Sequence, residues 1–160
     1  MIVFSDFECP FCKRFAEDVL PNLRQRYVEP GRVRLAFKHL PLPNHQQAFD
    51  AAVAAECAGR SGLFWKMHDL LFAAGPLDGD VIRRSVTALN LGQAFETCLT
   101  GSGRETVDIE LKEARELQVT GTPTILIGRL EPSGHLRVAS LFVGNRTLAA
   151  FEEALAAVTR

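Results

Sequence analysis

The sequence predicts an α/β fold that opens with a strand–helix–strand unit and closes with two strands and a helix. Three observations support this prediction: β-branched and aromatic residues cluster at 2–5, apolar residues recur with helical spacing over 10–28, and β-rich runs return at 123–128 and 136–144. The 160 residues suffice for one domain with its own hydrophobic core. We therefore expect one sheet covered by helices.

The first three elements form a βαβ unit. The run IVFS at 2–5 is predicted to be a buried strand, and a helix follows over 10–28, in which Pro21 should kink or break the winding. Apolar residues alternate with basic residues within 31–42, which predicts the second strand. A helix between two strands of one sheet implies that these strands run parallel.

The stretch between the two β-rich parts is predicted to be helical. An alanine-rich helix ends at a glycine, and the next helix is expected to begin with Ser61 as its cap and to end at Gly75. The composition shows no shift of the kind that marks a separate domain boundary. We therefore interpret 43–118 as an inserted helical subdomain, and 1–42 together with 119–160 as the α/β unit that carries it.

The chain closes with a predicted antiparallel hairpin and a final helix. The strands at 123–128 and 136–144 are separated by the turn-forming cluster EPSGH. The last helix is predicted over 147–158, with Thr147 as its cap.

Charge and hydropathy argue against two classes of partner. The net charge is −1, from 18 basic and 19 acidic residues, whereas nucleic acids and anionic lipids select a basic surface. The apolar runs are too short or too interrupted to span a bilayer, so no membrane insertion is expected.

Two cysteines, Cys9 and Cys12, lie two residues apart where the first helix is predicted to begin. Pro10 suits the first helical position, because its missing N–H would be unpaired there. The free N–H groups and partial positive charge of a helix start stabilise a thiolate, so the pKa of Cys9 should be lowered. The pair is therefore expected to offer an exposed attacking thiol and an enclosed resolving thiol, as thiol–disulfide exchange requires.

Two other interpretations of the pair are open at this point. A structural zinc site usually needs four ligands, and the other cysteines, Cys57 and Cys98, each stand alone, so the ligand count argues against a metal. A purely structural disulfide between Cys9 and Cys12 would close a very short loop and remove little chain entropy. Redox chemistry is favoured, because the pair follows a strand and opens a helix.

The second signal is VTGTPT at 119–124, where Pro123 stands directly before a predicted strand. Proline in a sheet belongs at the first residue or at an edge, so an ordinary trans proline explains this position. A cis bond after Thr122 is the alternative, and the pattern alone favours the trans form because few X–Pro bonds in folded proteins are cis.

The stretches FSDFECPFC, AAVAAECAGRSGLFWKMHDLLF and VTGTPTILIG resemble the DsbA-like branch of the thioredoxin superfamily, and the resemblance covers essentially the whole chain. It implies a thioredoxin fold (βαβ…ββα) with an inserted helical domain. It also implies a thiol:disulfide oxidoreductase that needs no cofactor or metal and acts on proteins outside the cytoplasm. No leader precedes the first strand, so we expect a mature or trimmed form.

Carried over position by position, the resemblance makes Cys9 the nucleophile and Cys12 the resolving thiol. It also implies that the Thr122–Pro123 bond is cis, which reverses the preference stated above. The residues that would tune the pair or bind the substrate are Pro10, Phe11, Thr122 and Pro123.

Two positions depart from the pattern of this branch. Its members often carry a buried acid six residues before the first cysteine, where this chain has Val3, so Asp6 and Glu8 are the candidate substitutes for proton transfer to the resolving thiol. The strongest oxidants have histidine between the cysteines, where this chain has Phe11. We therefore expect the pKa of Cys9 to be lowered, but less than in those oxidants.

The resemblance also implies a second disulfide, between Cys57 and Cys98, since some members of the branch join corresponding helices in this way. Closing a loop of that length stabilises the fold by roughly 3–4 kcal/mol in the chain-entropy model. Two buried free thiols are the alternative. The nearby FWKMHDLLF is predicted to be core that borders the groove near Cys9, with His68 a packing or hydrogen-bonding residue rather than a catalyst.

The predicted function is disulfide formation in unfolded or reduced client proteins, with a redox partner that recycles the Cys9–Cys12 pair. The protein is expected to be a monomer in the periplasm or another extracytoplasmic compartment. A cytoplasmic relative that works as a reductase or isomerase, and a binding module without catalysis, are the alternatives.

Overall fold

The structure is a computed structural model that describes residues 1–159, and its four strands form one sheet. In chain order the strands are β1 (Ile2–Ser5), β2 (Ala36–His39), β3 (Thr124–Leu130) and β4 (Leu136–Val143). Their order across the sheet is β2-β1-β3-β4, with β1 parallel to β2 and antiparallel to β3, and with β3 antiparallel to β4. The predicted parallel opening and antiparallel hairpin are both confirmed.

The helices divide into one between β1 and β2, five between β2 and β3, and one after β4. They are α1 (Pro10 to Val28), α2 (Ala48–Gly59), α3 (Phe64–Ala73), α4 (Gly79–Ala88), α5 (Gln93–Thr100), α6 (Ser102–Glu116) and α7 (Leu148–Thr159). The predicted α/β architecture with a helical insertion is therefore confirmed.

The two central strands send alternate side chains to opposite faces of the sheet, as the two-residue period of a strand requires. Val3 and Ile125 enter one hydrophobic cluster, which α1 and α7 complete. Their neighbours Phe4 and Leu126 enter a separate cluster on the other face, which includes Ala114 of α6. Both faces of β1 are thus buried, and the strand that leads to the cysteine pair is fixed by the core.

A third cluster fills the helical insertion and reaches the cysteine pair. It joins α2, α3, α5 and α6, and it also contains Phe7, Cys9 and Cys12. The cysteine pair follows β1 in the chain, and its side chains therefore pack in the core of the helical insertion.

Helix α1 changes its winding twice. Its α-helical parts, Pro10–Arg14 and Leu20–Leu23, alternate with π-helical parts, Phe15–Val19 and Arg24–Val28. Pro21 is the second residue of Leu20–Leu23, within the first turn after the first π-helical part, and proline is tolerated in a first helical turn. The distortion expected at this proline is thus a change of hydrogen-bond pattern within a continuous helix.

Ser61 is not the cap of α3, contrary to the prediction. The N–H groups of Ser61 and Leu63 both bond the carbonyl of Ala58, and Gly62 adopts a φ of +72°. These residues complete the turn that ends α2, so Leu63 is the residue that precedes α3.

The predicted second strand is shorter than the 31–42 segment, because only Ala36–His39 pairs with β1. Its outer edge is bonded to helix α6: the His39 N–H donates to Oε2 of the buried Glu110 over 2.6 Å. Lys38 forms ion pairs with Glu110 and Glu113 at 3.2 and 2.8 Å. These side chains hold α6 against the edge of the sheet.

Candidate active site

The cysteine pair lies at the start of α1, as the sequence predicts. Cys9 is the residue before the first helical position, with an extended backbone, and Pro10 occupies the first turn. The Cys9 N–H donates to the carbonyl of Asp6 over 3.2 Å, which closes a tight turn between β1 and α1. This geometry directs the free N–H groups of the first helical turn at the Cys9 sulfur.

The surroundings of Cys9 lower its pKa to about 5. The largest cause is a hydrogen bond from the Cys12 side chain; burial opposes it, and hydrogen bonds from Thr122 and from the backbone N–H groups of Cys12 and Phe11 add to it. A value near 5 lies within the range of about 3.5–7.5 for activated cysteines. The predicted lowering is confirmed.

Cys12 has the opposite behaviour. It is fully buried, and burial raises the pKa of its thiol well above the usual range. The hydrogen bond it makes to Cys9 raises this pKa further, while hydrogen bonds from Ser5 and Thr122 oppose the rise. At neutral pH the pair is therefore one thiolate and one thiol.

The loop before β3 places Thr122 and Pro123 beside Cys9. The Thr122–Pro123 bond is cis, as the resemblance implies, and the Cys9 thiol lies 3.4 Å from the carbonyl oxygen of Thr122. The Thr122 hydroxyl is buried and makes no hydrogen bond within 1–159, so it is free to donate to a Cys9 thiolate. Two segments more than 100 residues apart in sequence thus meet at one sulfur.

The expectation that Cys9 is exposed is wrong: only 4% of the residue is accessible. The cause is the helical insertion, whose core packs against Cys9 and Phe7. Access is left through a groove of about 280 Å³ beside the pair. The groove is lined by Phe7, Glu8, Cys9, Pro10, Lys13, Leu71, Phe72, Ala74, Gly75 and Pro76.

Phe11 projects outward from the helix start. It is 54% exposed, and the guanidinium of Arg14 lies 5.9 Å from the centre of its ring. This exposed aromatic ring adds apolar area to the surface beside the cysteine pair.

Neither acid proposed as a proton carrier serves Cys12. The buried carboxylate of Asp6 accepts from the N–H groups of Glu8 and Leu42 and contacts His45 Nδ1, each at 2.7 Å. The carboxylate of Glu8 accepts from the N–H of Gln47 over 2.6 Å. Both acids bind the loop before α2, and neither is among the groups that shift the pKa of Cys12.

Cys12, but not Cys9, lines a narrow cavity with two polar neighbours that the sequence does not single out for this role. Ser5 and His68 line it together with Cys12, Val3 and aromatic and aliphatic residues. The signal for Ser5 was its place as the polar residue of an otherwise apolar strand. No comparable signal existed for His68, because it reaches the site from another helix.

The other two cysteines form a disulfide between α2 and α5. Cys57 and Cys98 are joined across a sequence separation of 41 residues, as the resemblance implies. Gly103 of α6 packs against this bond: a Cβ atom added there would lie 2.4 Å from Sγ of Cys57 and 3.1 Å from Sγ of Cys98.

Among residues 1–159 there is no cluster of three or more His, Cys, Asp or Glu side chains that could hold a metal ion. Over the same range, none of the helices has the length and apolar character needed to cross a bilayer.

The fold and the site define a thioredoxin-like protein whose dithiol opens the first helix. The sequence model of the thioredoxin family designated Thioredoxin_4 matches residues 1–141, and the chain belongs to that family. The α-DsbA1 of Wolbachia pipientis has a similar fold, with a TM-score of 0.85, 20% identity and coverage of 99% of this chain and 84% of that one. The predicted thioredoxin fold is therefore confirmed.

Two curated relatives extend the comparison. A Na⁺/H⁺ antiporter NhaA 3 of Salinispora tropica is 35% identical over 150 residues, which cover 88% of this chain and 22% of the antiporter. A probable disulfide bond formation protein D of Bacillus anthracis is 23% identical over 139 residues, which cover 79% of this chain and 64% of that protein. The chain thus spans about a fifth of the length of the first of these relatives.

Proposed function

We propose that this chain is a thiol:disulfide oxidoreductase of the DsbA type that forms disulfides in reduced client proteins. The observation that carries the proposal is the asymmetry of the cysteine pair. Cys9, at the helix start, has a pKa of about 5, whereas the adjacent Cys12 is fully buried and has a raised pKa. Such a pair favours the form in which Cys9 is a thiolate and Cys12 a leaving or resolving thiol.

In the oxidised enzyme, a thiolate of the client attacks Sγ of Cys9 and breaks the Cys9–Cys12 bond. Cys12 leaves as a thiolate, takes up a proton, and a mixed disulfide joins Cys9 to the client. The client's second thiolate then attacks the client sulfur of the mixed disulfide. A disulfide forms within the client, and Cys9 leaves as a thiolate. Two electrons pass from the client to the enzyme, and a redox partner that accepts them restores the Cys9–Cys12 disulfide.

The substrate surface is formed by the groove beside Cys9 together with the Thr122–Pro123 loop. The groove is apolar along Phe7, Leu71 and Phe72, while Lys13 at its side donates to the carbonyl of Ala74 over 2.8 Å. Apolar segments of an unfolded chain suit such a surface, and exposed Phe11 would extend it. Pro10 and Phe11 contribute to the tuning of the pair, because the Phe11 N–H is one of the groups that lower the pKa of Cys9.

An extracytoplasmic location, with a monomeric chain, fits this role. A disulfide such as Cys57–Cys98 persists in an oxidising compartment and is rare in reducing ones. Two of the compared proteins carry names that refer to disulfide formation or to DsbA.

The test measures oxidation of a reduced peptide with two cysteines, in a glutathione redox buffer, by the wild-type chain and two variants. Cys9→Ser should reduce the rate to the uncatalysed background, because no other described thiol is free and activated. Cys12→Ser cannot form the internal disulfide, so its Cys9 should instead carry glutathione from the buffer as a mixed disulfide, detected by intact mass.

The matched control is the double variant Cys57→Ser with Cys98→Ser, which removes two cysteines away from the groove. Its rate of peptide oxidation should stay close to that of the wild-type chain at a temperature where it is folded. Catalysis that persists in Cys9→Ser would refute the proposal. A reduction potential near that of cytosolic thioredoxins would indicate a reductase instead.

A further inference from the structure

We propose that His68 carries the proton that Cys12 must release and take up, in the place where related proteins use a buried acid. The inference rests on the proposed function, since it concerns the second step of the same exchange reaction. It assigns a proton-transfer role to a residue that its sequence context predicts to be a packing or hydrogen-bonding residue rather than a catalyst.

Cys12 needs such a group because of where it lies. It is fully buried, and its proton must be removed before it can attack the mixed disulfide at Cys9. The position six residues before Cys9 is the apolar Val3, and both Asp6 and Glu8 are bonded to backbone amides of another loop. The carboxylates of Asp6 and Glu8 are therefore occupied by other groups, and the proton of Cys12 needs a different carrier.

The cavity behind Cys12 offers a titratable group of another kind. The cavity is narrow, and its lining places the side chains of His68, Ser5 and Cys12 around one space. Its lining is Val3, Ser5, Cys12, Phe15, Ala16, Leu20, Leu35, Phe37, Trp65 and His68. Among these residues His68 is the one basic side chain, and Ser5 hydrogen-bonds the Cys12 sulfur.

The imidazole of His68 is held rigidly by aromatic rings. Its ring centre lies 4.8 Å from that of Phe72, 5.1 Å from that of Trp65 and 5.4 Å from that of Phe37. Its Nδ1 lies 2.8 Å from the carboxylate of Asp69. When Nδ1 donates to that carboxylate, Nε2 of the neutral ring is left as the proton acceptor.

Asp69 connects the buried ring to solvent. Its side chain is 61% exposed and borders a groove of about 220 Å³ on the surface of α1 and α3. His68 thus lies between a cavity that ends at Cys12 and a carboxylate that exchanges protons with water.

The charges around His68 suit a group that is neutral at rest and protonated during the reaction. Burial lowers the pKa of His68, while the Asp69 carboxylate opposes this effect and Arg24 adds to it. Arg24 of α1 lies 3.5 Å from Asp69, and the buried, neutral His39 of β2 is the other titratable neighbour besides Cys12. Neutral His68 is therefore a proton acceptor at pH 7, and Asp69 stabilises the imidazolium that forms.

Reoxidation of the pair begins from a mixed disulfide. Cys9 is joined to the partner in a mixed disulfide, and the Cys12 thiol gives its proton to His68, directly or through the Ser5 hydroxyl. The Cys12 thiolate attacks Sγ of Cys9, the Cys9–Cys12 bond forms, and the partner leaves as a thiolate. The imidazolium then returns its proton to solvent at Asp69. The reverse sequence protonates Cys12 when a client opens the disulfide.

The experiment separates the two steps with oxidised glutathione as the probe. The reduced protein is mixed with it in a stopped-flow instrument, and the Trp65 fluorescence and quenched intermediates are followed from pH 5 to pH 9. The first step, attack by Cys9, depends on the glutathione concentration, whereas closure by Cys12 does not. His68→Gln should slow closure by about 10-fold or more at pH 6–7, a modest share of what general base catalysis contributes.

The difference should shrink towards pH 9, where hydroxide can remove the proton, and the first step should change by less than about twofold because Cys9 keeps its own stabilising groups. Asp69→Asn, at an exposed position, should also slow closure, but less than His68→Gln does, because the base remains while the imidazolium loses its charged partner. This second variant keeps the test decisive if His68→Gln does not fold.

The matched control is His39→Gln, which replaces a second buried histidine of the same aromatic cluster that does not line the cavity. It should leave the rate and pH profile of closure unchanged. The inference is overturned if closure in His68→Gln keeps the wild-type rate and pH profile, or if His39→Gln slows it equally. Failure of the first step in the wild-type chain would instead refute the proposed function.

Discussion

The molecule contains two pairs of cysteines, one of free thiols and one joined in a disulfide. Cys9 and Cys12 lie within the first turn of one helix, as free thiols whose pKa values move in opposite directions. Cys57 and Cys98 lie on two helices, 41 residues apart, and are bonded to each other. Both pairs are buried, so burial alone does not decide which pair reacts.

The difference lies in what surrounds each sulfur. Cys9 accepts a hydrogen bond from the Cys12 side chain, and the buried Thr122 hydroxyl and the free N–H groups of the helix start add to this stabilisation of its anion. The Cys57–Cys98 bond is enclosed by the helices it joins, with Gly103 of a third helix packed directly against it. Hydrogen-bond donors around the sulfur lower the pKa of one thiol, whereas the other pair of sulfurs is joined and closely packed between helices.

The largest effect is expected in the titration of the Cys9 thiol, which the disulfide-bonded pair does not share. In the reduced Cys9–Cys12 state, alkylation of Cys9 should follow a midpoint near pH 5, because that pKa is lowered to about 5. At pH 6 this leaves roughly 300 times more thiolate than an ordinary cysteine has, since its pKa is about 8.5. Iodoacetamide labelling from pH 4 to pH 9, read by peptide mass spectrometry, checks this. A midpoint above pH 8 would remove the contrast.

The same titration has a consequence for stability. A thiol with a lowered pKa in the folded state contributes stability above its unfolded pKa, and this contribution is lost as the pH falls through the folded value. The reduced protein should therefore lose stability from about pH 9 down to pH 5. A Cys9→Ala variant should lack that part of the pH dependence when both are unfolded in urea.

Removal of the structural pair should have the next largest effect. The double variant Cys57→Ala with Cys98→Ala should lower the free energy of unfolding by roughly 3–4 kcal/mol, because a long loop is no longer closed in the unfolded chain. Urea unfolding followed by circular dichroism measures the change. The Cys9 titration midpoint should stay where it is, and a shift in that midpoint would show that the two pairs are coupled.

Gly103→Ala tests the packing against the structural disulfide. The added Cβ would lie 2.4 Å from Sγ of Cys57, so the helices must move apart, at a cost of about 1–3 kcal/mol. Gly79→Ala, at the first residue of α4 with open space around it, is the control and should be neutral or slightly stabilising. Equal stability of both variants would contradict the close approach. In the cysteine double variant the cost of Gly103→Ala should shrink, since both sulfurs are gone.

Thr122→Val should have the smallest effect. It removes a hydroxyl that donates to the Cys9 thiolate while it keeps the shape of the side chain, so the alkylation midpoint should rise by about one pH unit or less. Thr120→Val, at an exposed position two residues earlier, is the control and should leave the midpoint unchanged. A fall in the midpoint on Thr122→Val would contradict the assigned hydrogen bond.

The secondary-structure elements that depend on short-range patterns could be predicted from the sequence. The strand at 2–5, the helix start at Cys9 and the closing hairpin each follow from local composition, and the structure contains all three. The side-chain cap of α4 was missed, although Asp78 has the residue type for it and accepts from the Val81 N–H over 2.7 Å. Its signal was local, in the DGD sequence before an apolar run.

The features that the sequence did not reveal depend on contacts between distant segments. The burial of Cys9 results from the insertion core, and the approach of His68 to the Cys12 cavity results from the packing of α3 on α1. The binding of Asp6 to Leu42 and His45 joins residues more than 35 positions apart. Patterns within a window of a few residues contain no information on such distances.

The contact of Glu110 with the outer strand of the sheet has a consequence for self-association. An edge strand with free N–H groups can recruit another chain and start aggregation. On β2 the His39 N–H is already occupied by Glu110, and charged side chains of Lys38 and Glu113 surround it. A foreign strand that adds to this sheet would meet less obstruction along β4, where Leu141 and Val143 are exposed.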